Sequence, residues 1–226
     1  MSTLNFSNVL QAWSLFLGGL GLTVALTVVS CFLGTLLGTA CAWCRIHATG
    51  WLRIGVACYV ELFRNTPFLV QIFFIFFGLP SIGLTMNSII ASVVALTLNL
   101  TAYACEIVRA GIEATPRGQI EAAESLALDR WQVFTRVVIP PALARVWPGL
   151  ISQLVIMLLA SSLCSQISAV ELSYAASFIA GRTFETFQPY VVATVLYLLL
   201  AITLRGFLKW LGPRCIFGRQ NPGSIR

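Results

Sequence analysis

Five long apolar stretches, at about 15–43, 52–79, 88–108, 146–167 and 190–207, dominate the chain, and the segments between them hold nearly all of its charge. A helix crossing a bilayer needs about 20 apolar residues. Inside the bilayer every backbone N–H and C=O must be bonded within the protein. Five such runs therefore predict an all-α polytopic membrane protein, with residues 1–226 forming one domain. The composition agrees: 58% of residues are hydrophobic and 10% charged, against about 25% charged in soluble domains. Mean hydropathy is +0.88. The net charge of +6 is explained by basic loops beside the spans, with no need for nucleic acid as a partner.

The basic residues also set an orientation. With the N-terminus outside, the inner loops and tail hold Arg45, Arg53, Arg109, Arg117, Arg130, Arg136, Arg145, Arg205, Lys209, Arg214, Arg219 and Arg226. Arg182 falls outside and Arg64 within the second stretch. The positive-inside rule favours this arrangement and opposes its reverse.

Scarce residues exclude several chemistries. The single lysine, Lys209, follows Leu208, so no Gly-Lys phosphate loop exists and the chain is not itself an ATP-binding subunit of that kind. One histidine rules out two-His zinc motifs. Cys41, Cys44 and His47 have a metal-like spacing but lack a fourth ligand nearby. No nucleophile motif or facing pair of carboxylates marks an enzyme. The expectation is a non-catalytic chain with no metal or cofactor of its own.

Polar groups inside the apolar runs are costly and mark candidate function. The second run carries Glu61, Arg64, Asn65, Thr66 and Pro67. Glu61 and Arg64, three apart, are expected to neutralise each other, and Pro67 to kink the helix. Glu106 and Arg109 repeat the spacing at the inner end of the third run. Candidates for a polar pathway are Glu61, Arg64, Asn65, Gln71, Asn99, Gln153, Ser161 and Ser162. Gly34 and Gly38 form a small-residue packing face.

The segment 109–145 is the longest inner loop and reads as two short helices. Thr115 is placed as N-cap with Pro116 at the first helical position. Asp129 and Gln132 form a capping-box pattern, and Pro140–Pro141 are expected to end the second helix. A hairpin at 118–140 with small alanines on one side suits docking into a partner's groove.

Within that hairpin, Glu121-Ala122-Ala123, Ala127, Val137, Ile139 and Pro140 resemble the EAA loop of bacterial ABC importer permeases in spacing throughout. The stretch 59–67 (Tyr-Val-Glu-Leu-Phe-Arg-Asn-Thr-Pro), the segment 77–80, Tyr103, Glu106, 109–112 and Gly118-Gln119 resemble the polar amino acid (histidine/glutamine type) branch of that family. The resemblance implies the type I ABC importer fold with five transmembrane helices, N-terminus periplasmic and C-terminus cytoplasmic, in a bacterial inner membrane. It implies a second, identical or homologous permease and a dimer of ATP-binding subunits that hold ATP and Mg. A periplasmic amino acid-binding protein would deliver the solute. Gly118, Glu121, Ala122, Ala123, Ala127 and Pro140 are then the coupling residues. The segment 168–188, with Glu171 and Arg182, becomes the outer gate or docking face.

Two departures carry consequences. Ala127 stands where the family has Gly, and alanine adopts positive φ less readily, so the hairpin turn is expected to differ slightly. Leu159-Ala160 stand where the family has Lys-Asp. Without that carboxylate a cationic solute group has no partner on this chain, which favours a neutral or opine-like solute or a pocket completed by the second permease. A rival reading, an ion-coupled secondary transporter, would need intramembrane ion ligands and an internal repeat; the long inner loop has no role in it.

The orientation is testable. On a Cys-free background, cysteines at Asn5 and Ser224 should react with impermeant maleimide from opposite faces of the membrane. Reaction of both from one face contradicts the five-span arrangement.

Overall fold

The structure, a computed structural model, describes residues 7–216. A short α1 (Ser7–Gln11) precedes α2 (Trp13–His47), α3 (Trp51–Arg64), α4 (Phe68–Phe73) and α5 (Ser88–Glu113). Then follow α6 (Arg117–Ser125), α7 (Arg130–Gln132), α8 (Ile139–Ala160), α9 (Leu172–Thr183) and α10 (Phe187–Leu211). Four helical stretches are long and apolar enough to cross a membrane: Trp13–His47, Ser88–Glu113, Arg130–Ile167 and Phe187–Arg214. The bent pair Trp51–Arg64 and Phe68–Ile82 is together long and apolar enough for a fifth.

Helix α5 is the hub. In its apolar stretch 61% of residues are buried, against 11% for α10. The chain packs α2 against it almost backbone to backbone. A Cβ on Gly38 would lie 2.6 Å from the Ala104 Cβ, and one on Gly34 would lie 2.8 Å from the Leu100 Cβ. In lipid, where neighbouring tails are as apolar as leucine, such close packing is what holds helices together. Leu96, Leu100 and Ala104 of α5 then join Leu26 of α2 and Leu150, Leu154 and Met157 of α8 in one core. A second core, Phe16, Leu172, Ala175, Ala176, Ile179 and Ala193, seats α9 across α2 and α10.

Two local expectations are corrected. The second apolar run does not merely kink at Pro67; its two halves are bent by 109°. Asn65 ends α3, and Pro67 precedes α4 as its N-cap with extended backbone (φ −64°, ψ 136°); Pro67 has no N–H to continue the α3 ladder and disfavours a helical Thr66. Pro140–Pro141 do not end a helix. They occupy the first positions of α8, reached through a π turn at Val133–Val138. In that widened turn the Ile139 N–H bonds back five residues to Phe134 O, which makes room for the proline rings. The fourth span thus begins in the hairpin, at Arg130.

A Gly38→Ala substitution forces α2 and α5 apart at this contact. It should lower the stability of the detergent-solubilised protein by about 1–3 kcal/mol, read as a lower midpoint in thermal unfolding. Gly18→Ala, where nothing lies within 4 Å, is the control and should leave the midpoint unchanged.

Candidate functional site

Three groupings bring the sequence-selected residues together. The first sits at the break. Gln71, buried at the start of α4, donates its side-chain N–H groups to Phe63 O (2.8 Å), Thr66 O (3.0 Å) and Thr66 Oγ1 (2.8 Å). Its Oε1 accepts from Asn99 Nδ2 of α5 at 2.9 Å. Breaking α3 exposes carbonyls that lipid cannot bond, and Gln71 satisfies two of them while Asn99 fixes Gln71. These two pathway candidates therefore clamp the break. Beside them a cavity of about 360 Å³ is lined by Leu62, Phe63, Thr66, Val70, Gln71, Phe74 and Ile75. Asn65 is exposed beside it.

Glu61 and Arg64 do not neutralise each other, contrary to the expectation from their spacing. Arg64 reaches across to Glu106 at 3.7 Å, and Glu61 is exposed. Glu106 also holds Arg45, at the end of α2, and Arg109 at 2.7 Å. The Glu106–Arg109 pair is as the spacing predicts. Arg45 was not selected from sequence, since it lies 61 residues from its partner.

The second grouping lies where the fourth span ends. A 3-10 turn, Ser161–Ile167, continues α8, and Ser168 stops it in the left-handed region (φ 62°). Ser161 is buried and donates to Leu158 O at 2.7 Å, while Ser162 donates to Leu159 O at 2.7 Å. Gln153, about two turns before Ser161 in α8, is also buried. Glu171, in the segment expected to form the outer gate or docking face, is fully buried. Its carboxylate caps α9 by accepting Tyr174 N–H at 2.8 Å. It also accepts from Thr23 of α2 at 3.3 Å and from the Tyr197 hydroxyl of α10. Thr23 Oγ1 in turn accepts Leu172 N–H at 3.1 Å. A Cβ on Gly19 would lie 2.8 Å from Glu171 O, so α2 presses directly on this corner. Burial pushes the Glu171 carboxyl above the usual carboxylate range, and its hydrogen bonds only partly offset that.

The third grouping is the hairpin. Pro116, not Thr115, caps α6; Thr115 Oγ1 is buried without a hydrogen-bond partner, so no side-chain cap forms there. Asp129 and Gln132 make the full capping box (2.9 and 3.2 Å). Between α6 and α7, Ala127 takes φ 56°. Ala127 N–H bonds Glu124 O at 2.9 Å and Leu128 N–H bonds Ala123 O at 3.3 Å, the two bonds of a Schellman stop. Alanine thus adopts the conformation that glycine favours, at a cost of order 1 kcal/mol. Ala123 is 5% exposed, packed with Val133 and Val138. Gly118, Glu121, Ala122 and Ala127 are exposed, and Pro140 is half-buried. Leu126 and Trp131 also stand out, 77% and 68% exposed. His47 stacks on Trp43 with ring centroids 3.8 Å apart, and Phe134 of the hairpin meets Trp43 edge-on at 4.7 Å.

Residues 34–216 match the family of binding-protein-dependent transport system inner membrane components. The chain belongs to this family. The permease is 34% identical over 199 residues to the octopine transport system permease protein OccM of Rhizobium radiobacter, covering 84% of this chain and 81% of that one. It is 32% identical over 193 residues to a probable amino-acid ABC transporter permease, YckA, of Bacillus subtilis (strain 168), covering 85% of each. Its fold matches a crystal structure of an amino acid ABC transporter with histidines at TM-score 0.87 and 32% identity, over 94% of this chain and 99% of that one. A chain of the MetNI methionine ABC transporter shares the fold at TM-score 0.74 and 22% identity, over 87% of the permease and 94% of that chain.

The buried carboxylate gives the permease a pH signature. A raised pKa means the folded state keeps a proton that the unfolded chain has already released. Stability should therefore fall as pH rises from the ordinary carboxylate range through the raised one. Glu171→Gln keeps the acceptor for Tyr174 N–H and removes the charge. Thermal midpoints measured between about pH 5 and 8 should slope downward in the parent and flatten in Glu171→Gln. Parallel curves would mean that Glu171 does not titrate there.

Proposed function

We propose that this chain forms half of the translocation path of an ATP-driven importer for amino acids or related small solutes, such as those named for its relatives. The observation that carries the reading is the hairpin. Its two helices are locked by a Schellman stop, a capping box and the Ala123–Val133–Val138 contact, and this leaves Glu121, Ala122, Leu126 and Trp131 as an outward face. A rigid apolar face with a flanking carboxylate fits the groove of a cytoplasmic ATP-binding subunit. That subunit holds ATP and Mg, and a dimer of them serves two permeases. The N-terminus lies outside the inner membrane, where a periplasmic binding protein delivers the solute to the end of the path that holds Ser161 and Ser162.

In this reading Ala123 does not touch the partner; it holds the hairpin closed. The cavity beside the α3–α4 break, with Asn65 and Thr66 at its edge, faces the second permease and widens or narrows as the two permeases move. Leu159 and Ala160 offer a cationic group no counter-charge, so such a group on the solute would be held by a carboxylate of the second permease.

Two substitutions separate docking from hairpin folding. Ala122→Asp puts a charge on the outward face and should release the ATP-binding subunits from purified complexes while leaving the permease's thermal midpoint unchanged. Ala123→Asp buries the charge inside the hairpin and should lower the midpoint as well. Intact co-purification and transport with Ala122→Asp would contradict the docking face.

A further inference from the structure

Glu106 is the meeting point of three helices. Arg45 comes from the inner end of α2, Arg64 is the last residue of α3, and Arg109 lies one turn along α5 from Glu106 itself. Arg109 also binds Glu113 at 2.6 Å. Three guanidiniums thus share two carboxylates, leaving the cluster one positive charge in excess. The three ties are unequal. The Arg45 and Arg109 side chains are 18% and 27% exposed and in direct contact with Glu106. Arg64 is 43% exposed, stands off at 3.7 Å, and rests over the Tyr103 ring at 5.7 Å.

Removing Arg64 leaves two cations with two carboxylates, a balanced set, whereas removing Arg45 or Arg109 breaks a close contact. Arg64 is therefore the cation whose departure costs the cluster least. A second acceptor is within its reach. Glu61 lies one turn back on α3, exposed and outside the ion pairs of the described residues, at the i, i+3 spacing that lets side chains meet. What Arg64 holds also matters, because the chain breaks immediately after it at Asn65–Pro67.

We propose that Arg64 is a positioning residue of the transport cycle. On Glu106 it ties the end of α3, and with it the break in the second span, to α5. Turned back to Glu61, it frees the break. Arg45 and Arg109 stay on Glu106 in both arrangements. The inference rests on the permease reading above.

The test uses the whole complex, permeases with ATP-binding subunits and binding protein, in nanodiscs. A reporter cysteine replaces Leu62 on a Cys-free background, and its reaction with a fluorescent maleimide is timed with and without ATP and vanadate. The parent should show a nucleotide-dependent rate. In Arg64→Gln the ratio of the two rates should fall by about fivefold or more, and binding-protein-stimulated ATP hydrolysis should fall with it, while the ATP-binding subunits still co-purify. Arg64→Lys should keep part of both. Salt at about 1 M should imitate Arg64→Gln in the parent, because a half-exposed pair is screened. Arg45→Gln should lower the thermal midpoint and keep the nucleotide-dependent ratio.

A parent-like ratio in Arg64→Gln overturns the proposal. So does an equal loss in Arg45→Gln and Arg64→Gln, which would make the cluster a static brace. Failure of the parent chain to retain ATP-binding subunits is a different result; it overturns the permease reading, and the proposal with it.

Discussion

A helix that breaks inside a membrane leaves carbonyl oxygens that only the protein can bond. In this chain two side chains meet that demand: Thr66 Oγ1 donates to Leu62 O at 2.8 Å, and Gln71 does the rest. Gln71 bonds the freed carbonyls of Phe63 and Thr66, and Asn99 fixes Gln71 from α5. The 109° bend, the cavity beside it and the placement of Arg64 over Tyr103 all follow from a break that is satisfied in this way. The clamp works because α5 is the buried hub. Its position is fixed by the glycines of α2 on one side and by Gly111 against Val146 of α8 on the other, where an added Cβ would lie 1.9 Å from the Val146 Cγ1.

Charge inside the protein is handled in two contrasting ways. Glu106 sits among arginines, so its charge is matched. Glu171 has hydroxyls and backbone N–H groups around it and, among the described residues, no cation among its hydrogen-bond partners. The first cluster joins α2, α3 and α5 at one end of α2, and the second joins α2, α9 and α10 near its other end. Helix α2 takes part in both, which gives a helix longer than a bilayer requires two separate anchor points.

Much of this was legible in the sequence, and the failures have physical reasons. Spans could be read because apolar length and charge placement are local properties. The Asp129 capping box was readable for the same reason. Pairings across the fold were not. Glu61–Arg64 looked like a pair by spacing, but Glu106, 42 positions from Arg64 in the chain, is nearer in space. Glu171 could be placed in the outer segment, but its partners Thr23 and Tyr197 belong to distant helices and no local pattern names them. Pro140–Pro141 looked like a stop because the rule against proline in helices assumes an unbroken α register, which the preceding π turn relaxes. Ala127 looked unsuited to its turn, yet the bonds at Ala123 and Glu124 hold it there.

The π turn before Pro140 has a mechanical consequence. Because the helix does not stop, residues 130–167 form one continuous helical stretch of 38 residues, with Pro148 inside it, about 57 Å long at 1.5 Å per residue. One end carries the Asp129 cap, and the other carries Ser161 and the corner where Glu171 is buried. A tilt of roughly 5° at the capped end would carry the far tip about 5 Å sideways, about the width of a methyl-bearing side chain. Had the prolines ended the helix, a flexible joint would have absorbed that tilt within a turn. The double proline sits where stiffness decides how far a small rotation reaches.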